Sequence, residues 1–306
     1  MCKYFIEQLL VLLKPFIKKI LLKPAIILKI DGGTCSQLED IVCIKILEEK
    51  TGYRVLMDLS WYKDCEDKES VIARPYNVDK MFEYSDIKEA TKTQIWLYKL
   101  LFSYFPGEND LRLSENNVDL SRFNLPKPPC YLRGYYSYDI SVIEKEYRKY
   151  IKIKRPEEIL DSKGMELYYK ISNEDKSIGV HVRRGDMGVE GGYWKVIPAE
   201  YFINICAIPQ LQRFTFYFFS EEPEWIRENV LPYINVKYEL PGNNSSYYGY
   251  RDLFLLSCCK YQVKSQGSFG LYAYVLNKYN DKRLIAYNED KQGLWEWFEP
   301  GNGNKL

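Results

Sequence analysis

The sequence predicts an α/β protein with two domains, and three observations support this fold class. Residues 25–58 contain an apolar run, a glycine turn, a helical pattern and a second apolar run, which together predict a β-α-β unit. Residues 177–182 and 213–220 are short apolar runs typical of strands buried in a parallel sheet. The length of 306 residues is enough for about two domains of ordinary size.

Residues 1–24 differ in composition from the rest of the chain. Residues 1–30 contain six lysines and one glutamate, a net charge of +5 in a chain whose net charge is +1. No uncharged apolar run approaches the roughly 20 residues that span a bilayer. The pattern predicts a basic amphipathic helix lying on an anionic membrane surface. A helix packed on the protein's own core is the alternative.

Residues 25–155 are predicted to form the first domain. An apolar strand precedes Gly32 and Gly33, and a helix follows from about residue 36 to residue 50. Two glycines at a helix N-terminus let backbone N–H groups approach a ligand. Close packing of the turn explains the same glycines, so the pattern alone leaves both explanations open. A further helix is predicted over residues 91–104.

Residues 156–306 are predicted to form the second domain. Its first strand ends in two adjacent arginines, Arg183 and Arg184. Two guanidinium groups at the end of a buried strand suit bidentate contact with phosphate oxygens. The carboxyl ends of parallel strands are also where open α/β sheets bind ligands. Pairing of the arginines with surface carboxylates is the alternative.

Later segments complete the second domain. A helix with Ser220 as its N-cap is predicted after the apolar run 213–220, and another helix begins at Arg251. A strand at residues 261–264 leads through a Gly-Ser turn at residues 266–270 into a helix. Such a step presents backbone N–H groups and a hydroxyl to an anion.

Composition excludes several classes of function. A net charge of +1 provides no field for binding nucleic acid. Eight scattered cysteines without a Cys-x-x-Cys motif indicate reduced thiols in a cytosolic protein. The single histidine, His181, argues against a histidine-based metal site, and no Asp-x-Asp pair is present. If the protein handles a pyrophosphate, arginines and backbone amides must replace a divalent ion.

The segment VHVRRGD, residues 180–186, resembles the His-x-Arg-Arg-Gly-Asp signature of the α-1,2-fucosyltransferases. The segment GGTCSQ resembles the amino-terminal Gly-Gly-Leu-Gly-Asn-Gln motif of that family. Gly32, Gly33 and Gln37 match, whereas Ser36 replaces the asparagine. A serine still donates and accepts hydrogen bonds, but with shorter reach than asparagine.

Two segments of the second domain resemble the same family. FFSEEPEW resembles a Phe-Ser-Asp-Asp-x-x-Trp stretch, and helix capping accounts for most of that pattern. QGSFG resembles the family's Ser-Thr-Phe-Ser turn, with Ser268 and Phe269 matching and Gly270 departing. The resembling segments occur in family order from Ile30 to about Leu276.

The resemblance implies a GT-B architecture, in which two Rossmann-like domains face each other across a cleft and the second domain holds the donor. It implies an enzyme of the galactoside α-1,2-fucosyltransferase type. Such an enzyme transfers L-fucose from GDP-β-L-fucose, with inversion and without a metal or other cofactor, to a sugar hydroxyl, often O2 of galactose. The alternatives are a transferase with another GDP-sugar or linkage, and a non-catalytic member that binds a nucleotide sugar.

The resemblance also implies site residues. Arg183 is expected to grip the β-phosphate, with Arg184 and Asp186 beside it as catalytic residues. The residues expected to bind the donor are His181, Arg183, Asp252, Ser268 and Phe269. The residues expected on the acceptor side are Gly32, Gly33, Ser36 and Gln37. An acid in the first turn of a helix also stabilises that helix, so Asp252 has two explanations.

The expected partners are GDP-fucose and a glycan or lipid-linked oligosaccharide acceptor, with an anionic membrane surface as a third. The expected location is cytoplasmic and peripheral on the inner face of the membrane, in the synthesis of a cell-surface polysaccharide. No nucleic acid is expected.

Overall fold

The computed structural model describes residues 9, 12–16, 24–65, 74–104, 118–119, 127–132, 136–137, 140–185, 196–241, 246–287 and 295–298. The chain forms two compact units, Met1–Lys152 and Ile153–Leu306. The units divide close to the predicted boundary between residues 155 and 156. Each unit contains a parallel sheet with helices, which confirms the predicted α/β class.

The first unit is built on a four-stranded parallel sheet. Its described strands are β1 (Ile26–Lys29), β2 (Val55–Asp58), β3 (Phe82–Tyr84), β4 (Ser103–Tyr104), β5 (Val118–Asp119), β6 (Cys130–Leu132), β7 (Tyr136–Ser137) and β8 (Ile151–Ile153). The order in the main sheet is β2-β1-β6-β4, and β3 with β8 and β5 with β7 form separate pairs. The sheet order therefore reverses at β1, whose end leads into the Gly32–Gly33 turn.

From residue 24 onward, the described part of the first unit contains five helices, of which the two short ones at residues 60–65 and 78–81 were not predicted from the sequence. They are α1 (Thr34–Thr51), α2 (Ser60–Cys65), α3 (Val78–Met81), α4 (Lys92–Leu101) and α5 (Ile140–Tyr150). Thr91 and Gln94 form a capping box at the start of α4. The helix predicted to reach residue 104 ends at Leu101, because the next residues pair with β6 as strand β4.

The second unit is built on a six-stranded sheet in the order β11-β10-β9-β12-β13-β14. Its strands are β9 (Ser177–His181), β10 (Thr215–Phe219), β11 (Tyr238–Glu239), β12 (Tyr261–Lys264), β13 (Arg283–Tyr287) and β14 (Trp295–Phe298). The described pairs are parallel except that of β13 with β14. β9 and β10 are buried along their whole length, as their apolar sequences predict.

The direction of the chain through this sheet reverses between β9 and β12. The chain passes from β9 to β10 and then to β11, and returns to the opposite side of β9 as β12. Open α/β sheets bind ligands at the carboxyl ends of strands next to such a reversal. The residues that follow β9 and β12 therefore lie where a ligand is expected.

Six helices surround this sheet in the described part of the second unit. They are α6 (Pro156–Ile159), α7 (Ser162–Ser172), α8 (Ala199–Cys206), α9 (Pro223–Asn229), α10 (Gly249–Cys258) and α11 (Phe269–Leu276). The prediction of Ser220 as the N-cap of α9 is wrong. Pro223 occupies the first turn and Glu222 is the N-cap, while the Ser220 hydroxyl accepts the Glu222 N–H at 3.0 Å in the preceding turn.

Within residues 1–24, residue 9 and residues 12–16 are helical. The remainder of the predicted amphipathic helix, apart from residue 24, lies outside the described residues, so the helix as a whole stays a prediction. Among the helices that the structure describes, none has the length and apolar character needed to span a bilayer.

Candidate functional site

Three neighbouring parallel strands of the second unit, β9, β10 and β12, end at the same edge of the sheet. Their last residues are His181, Phe219 and Lys264. Arg183 follows the first of these strands by two positions, and Ser265 follows β12 directly. Because parallel strands end together, residues distant in sequence converge at this edge.

Ser265 joins the ends of β9 and β12. Its hydroxyl oxygen accepts the backbone N–H of Arg183 at 2.8 Å and lies 3.3 Å from Nδ1 of His181. Ser265 is buried, so these contacts are shielded from water. The serine hydroxyl therefore fixes the backbone from which the Arg183 side chain projects. A single serine after a strand carries no signal that would have distinguished it in the sequence.

His181 is buried and stacks on Phe269. The ring centroids are 4.7 Å apart and the planes are inclined by 27°. Burial, together with the positive charges of Arg183 and Lys264, lowers the pKa of His181 to about 3. The imidazole is therefore neutral at neutral pH. A neutral ring suits hydrogen bonding and orientation, and it has no proton to give to a leaving group.

Both arginines face carboxylates of the turn after β10. Nη1 of Arg183 lies 3.6 Å from a carboxylate oxygen of Glu221. Nε of Arg184 donates to Glu222 at 3.3 Å, and its guanidinium lies over the Trp225 ring, 3.9 Å from the centroid. The sequence offered pairing with carboxylates as the alternative to phosphate binding, and such pairing is present.

The two ion pairs differ in kind. The separation of 3.6 Å between Arg183 and Glu221 is longer than a charge-assisted hydrogen bond, so a phosphate oxygen can compete for this guanidinium. Arg184 is held by a carboxylate and by an aromatic face together. Arg183 is therefore the better placed of the two to bind an anionic ligand, and Arg184 is better placed to hold the loop. The resemblance to fucosyltransferases indicated roles for both arginines, but it did not indicate Glu221 or Trp225.

The turn after β12 presents a free hydroxyl at a helix N-terminus. Gly267 has a positive φ of 79°, which glycine adopts without strain. Ser268 is exposed at the N-cap of α11, and its side chain makes no capping hydrogen bond. A hydroxyl beside unpaired backbone N–H groups is an arrangement that suits an anion.

Gly270 brings the start of α11 against β12. A Cβ at this position would lie 2.5 Å from Cβ of Lys264 and 2.8 Å from its Cα. Only glycine allows this approach, so the departure from the family pattern at Gly270 has a packing explanation. The half-buried Lys264 is, with Arg183, one of two positive charges that act on His181, and desolvation lowers the pKa of this lysine.

In the first unit, Gln37 ties the glycine turn to a neighbouring segment. Its Nε2 donates to the carbonyl oxygens of Pro75 at 2.9 Å and Gly32 at 3.3 Å. Its Oε1 accepts the backbone N–H groups of Asn77 at 2.9 Å and Val78 at 3.0 Å. All hydrogen-bonding positions of this buried amide are occupied. The sequence placed Gln37 among residues that contact an acceptor, but the structure gives its side chain a structural role.

The two turn glycines have different surroundings. Gly32 has a positive φ of 80°, and a Cβ there would lie 2.8 Å from the Ser36 hydroxyl oxygen. Gly32 is therefore required by backbone conformation and packing, and Ser36 fills the space beside it. A Cβ at Gly33 would meet nothing within 4 Å. The open space beside Gly33 gives a ligand room to approach the backbone.

Two further residues were predicted to belong to the site, Asp252 and Asp186. Asp252 lies in the first turn of α10, where an acid stabilises the helix. Its contact with a donor stays a prediction. Asp186 lies outside the described residues, so its predicted role also stays a prediction.

Arg183 is fixed at the reversal point of a parallel sheet, and the free hydroxyl of Ser268 lies at a helix N-terminus at the same sheet edge. These features define the class of protein, which is an α/β protein with a site suited to a phosphate-bearing ligand. Comparison with known proteins identifies the family. The model of glycosyl transferase family 11 matches residues 70–297, more than half of the chain. The chain belongs to that family.

A curated relative and several solved structures resemble the chain over most of its length. The O-antigen biosynthesis glycosyltransferase WbnK of Escherichia coli is 21% identical over 299 residues, which cover 90% of this chain and 96% of that protein. The fucosyltransferase NodZ from Bradyrhizobium has a TM-score of 0.55 at 14% identity, with 90% of this chain and 99% of that chain covered. Arabidopsis thaliana FUT1, in complex with GDP, has a TM-score of 0.50 at 10% identity, with coverages of 87% and 70%. These structures share the α/β fold of this chain.

Proposed function

We propose that the protein transfers L-fucose from GDP-β-L-fucose to a hydroxyl of a glycan acceptor. The observation that carries this proposal is the position of Arg183, held by Ser265 at the sheet reversal. Membership in glycosyl transferase family 11 supports a sugar transfer. Solved structures of NodZ, described as an α-1,6-fucosyltransferase, were obtained with GDP-fucose and with GDP, and these support the donor.

In the proposed reaction, the acceptor oxygen forms a bond to C1 of fucose, and the bond between C1 and the β-phosphate oxygen breaks. GDP leaves with the electron pair, and the acceptor hydroxyl loses its proton to a base or to water. Negative charge therefore grows on the β-phosphate. A positive charge already directed at that position lowers the barrier.

Arg183 is the residue we assign to this charge. Its guanidinium exchanges the Glu221 carboxylate at 3.6 Å for a β-phosphate oxygen. The Ser268 hydroxyl and the N-terminal N–H groups of α11 donate to the same diphosphate. The neutral His181, stacked on Phe269, orients the nucleotide without competing for the proton.

The finer parts of the proposal follow from the family resemblance. They are a GT-B architecture, inversion at C1, metal independence and O2 of galactose as the acceptor atom. The open space beside Gly33 supports the approach of an acceptor to the first unit. The linkage is the least constrained part, because NodZ is described as forming an α-1,6 bond.

The biological setting that we propose is the synthesis of a cell-surface polysaccharide from the cytoplasmic side. WbnK is named for O-antigen biosynthesis, and this relative supports a glycan acceptor of that kind. A lipid-linked oligosaccharide would place the reaction at the inner face of the membrane.

The test is transfer of radiolabelled fucose from GDP-fucose to a panel of galactose-terminated glycans, with linkage analysis of the product. We expect labelled product, and we expect GDP-fucose to raise the melting temperature more than GDP-mannose does. A stronger response to GDP-mannose would indicate a different donor. Donor binding without transfer to any acceptor would indicate a non-catalytic member of the family.

A further inference from the structure

Four apolar side chains near the start of the chain occupy helical positions at the spacing of one helix face. They are Leu9, Leu12, Leu13 and Phe16, at spacings i, i+3, i+4 and i+7. This spacing places residues on one stripe of an α-helix, and each of these positions is helical. We call these four residues the apolar stripe.

The apolar stripe is open to solvent. The exposed fractions are 45% for Leu9, 75% for Leu12, 40% for Leu13 and 64% for Phe16. The segment does contact the first unit, since Nζ of Lys14 lies 5.7 Å from the centroid of the Phe102 ring, but this contact leaves the four apolar side chains exposed. An exposed cluster of large apolar side chains marks an interaction surface.

The charge of the surrounding sequence identifies the kind of surface that the stripe meets. Residues 1–23 contain five lysines and one glutamate, whereas Lys29 lies in β1 and pairs with Asp31 at 2.6 Å. Apolar side chains on one face together with an excess of lysine are typical of helices that lie in the plane of an anionic membrane. Lysines near such a surface are attracted to acidic headgroups, whereas an apolar protein groove offers them no counter-charge.

We propose that the apolar stripe inserts into the headgroup region at the surface of an anionic bilayer and holds the protein there reversibly. The leucines and Phe16 enter the boundary between headgroups and acyl chains, and the lysines contact acidic headgroups. Binding by a single short helix is expected to be modest and reversible. The chain is therefore expected to exchange between the membrane surface and solution.

This inference goes beyond the transfer reaction and does not depend on it. The apolar stripe contains none of the residues that we assign to donor or acceptor binding. Loss of membrane binding and loss of transfer to a soluble acceptor are therefore separate results. A failure of either proposal leaves the other standing.

The experiment is co-sedimentation of the full chain with phosphatidylcholine vesicles, with and without phosphatidylglycerol. We expect binding to the anionic vesicles only, and we expect added salt to weaken it. The double variant Leu12→Glu/Phe16→Glu is expected to reduce the partition coefficient at least about tenfold. Its transfer rate to a soluble acceptor is expected to equal that of the unmodified chain.

The matched control is Tyr233→Glu in the second unit. Tyr233 is 68% exposed, close to the exposure of Phe16, so it tests the effect of adding a carboxylate at an exposed aromatic position. The control is expected to bind vesicles as the unmodified chain does. A melting curve establishes that both variants are folded.

Three results would overturn the inference. Equal binding of the unmodified chain to neutral and anionic vesicles removes the role of the lysines, and this measurement needs no variant. Undiminished binding by the folded double variant removes the role of the apolar stripe. Light scattering could instead show that the unmodified chain is a dimer that does not bind vesicles, and that the double variant is a monomer. That result would assign the apolar stripe to self-association.

Discussion

The hydroxyl oxygen of Ser265 accepts the backbone N–H of Arg183 at 2.8 Å, joining two strand ends at the point where the sheet order reverses. Removing this hydroxyl frees the backbone that carries the guanidinium. We expect Ser265→Ala to lower kcat/KM roughly 10- to 100-fold, because small displacements of a group that stabilises a transition state are costly. Steady-state kinetics with GDP-fucose measure this effect.

Ser177 provides the control for Ser265. It lies at the other end of β9, is buried, and its hydroxyl accepts the N–H of Lys260 at 3.0 Å. Both alanine variants are expected to lose about 1 kcal/mol of unfolding free energy, but Ser177→Ala is expected to retain its kinetics. Equal losses of kcat/KM in the two variants would show that Ser265 affects catalysis only through the stability of the fold.

Arg183→Ala is expected to lower turnover by on the order of 10²–10³, the usual cost of removing one donor that acts in the transition state. Arg183→Lys keeps a charge but loses the planar fork, so we expect only partial recovery. Arg227→Ala is the control, since this arginine is exposed and paired with Glu224 at 3.1 Å within its own helix. Turnover of Arg183→Ala close to that of the control would remove Arg183 from the mechanism.

His181 is expected to make stability depend on pH. Its pKa is about 3 in the folded chain, whereas an unfolded histidine titrates near pH 6.5. The stabilising effect is complete above pH 6.5 and is lost as the pH falls towards 3, because only the unfolded chain takes up the proton there. The slope is at most about 1.4 kcal/mol per pH unit.

A variant without this imidazole separates its contribution from that of the acidic residues. We expect His181→Asn to lose about 2 kcal/mol less unfolding free energy than the unmodified chain between pH 7 and pH 5. Urea denaturation at both pH values gives the difference. Parallel losses in the two proteins would show that the histidine titrates normally in the folded state.

Gly33→Ala tests whether a ligand approaches the turn of the first unit. The added methyl group meets nothing within 4 Å, so we expect an unchanged melting temperature. If the acceptor uses this space, KM for the acceptor rises while KM for GDP-fucose stays constant. An unchanged acceptor KM would place the acceptor elsewhere.

Chelation tests the expected metal independence. We expect EDTA to leave the rate of fucose transfer unchanged, because the proposal assigns the neutralisation of the diphosphate to Arg183, the Ser268 hydroxyl and helix N–H groups. The rate is measured before and after dialysis against EDTA. Loss of activity that added Mg²⁺ restores would contradict this assignment.

The sequence predicted the buried central strands, but it predicted neither the order of the strands nor the outer strands β11, β13 and β14. The apolar runs that became β9 and β10 are buried on both faces, and such strands have a strong local signal. Nothing local in residues 261–264 indicates that β12 pairs with β9 instead of extending the sheet beyond β11. That pairing is decided by packing over the whole unit.

The carboxylates beside the arginines were missed for a related reason. In sequence, Glu221 and Glu222 precede a proline and a helix, so capping explains them fully. Their second role depends on β10 lying next to β9, which brings the turn opposite Arg183 and Arg184. Gln37 is the opposite case, since its place in a glycine-rich motif predicts ligand contact, which stays a prediction, and the structure shows its amide bonded to backbone groups.

Arg183 and Ser265 are 82 positions apart in the chain. During synthesis on the ribosome, the guanidinium therefore emerges long before the hydroxyl that holds it, and a nascent chain that ends before β12 lacks this contact. If the second unit binds GDP as we propose, only the completed unit would bind it, so GDP in the cell would selectively stabilise completed molecules.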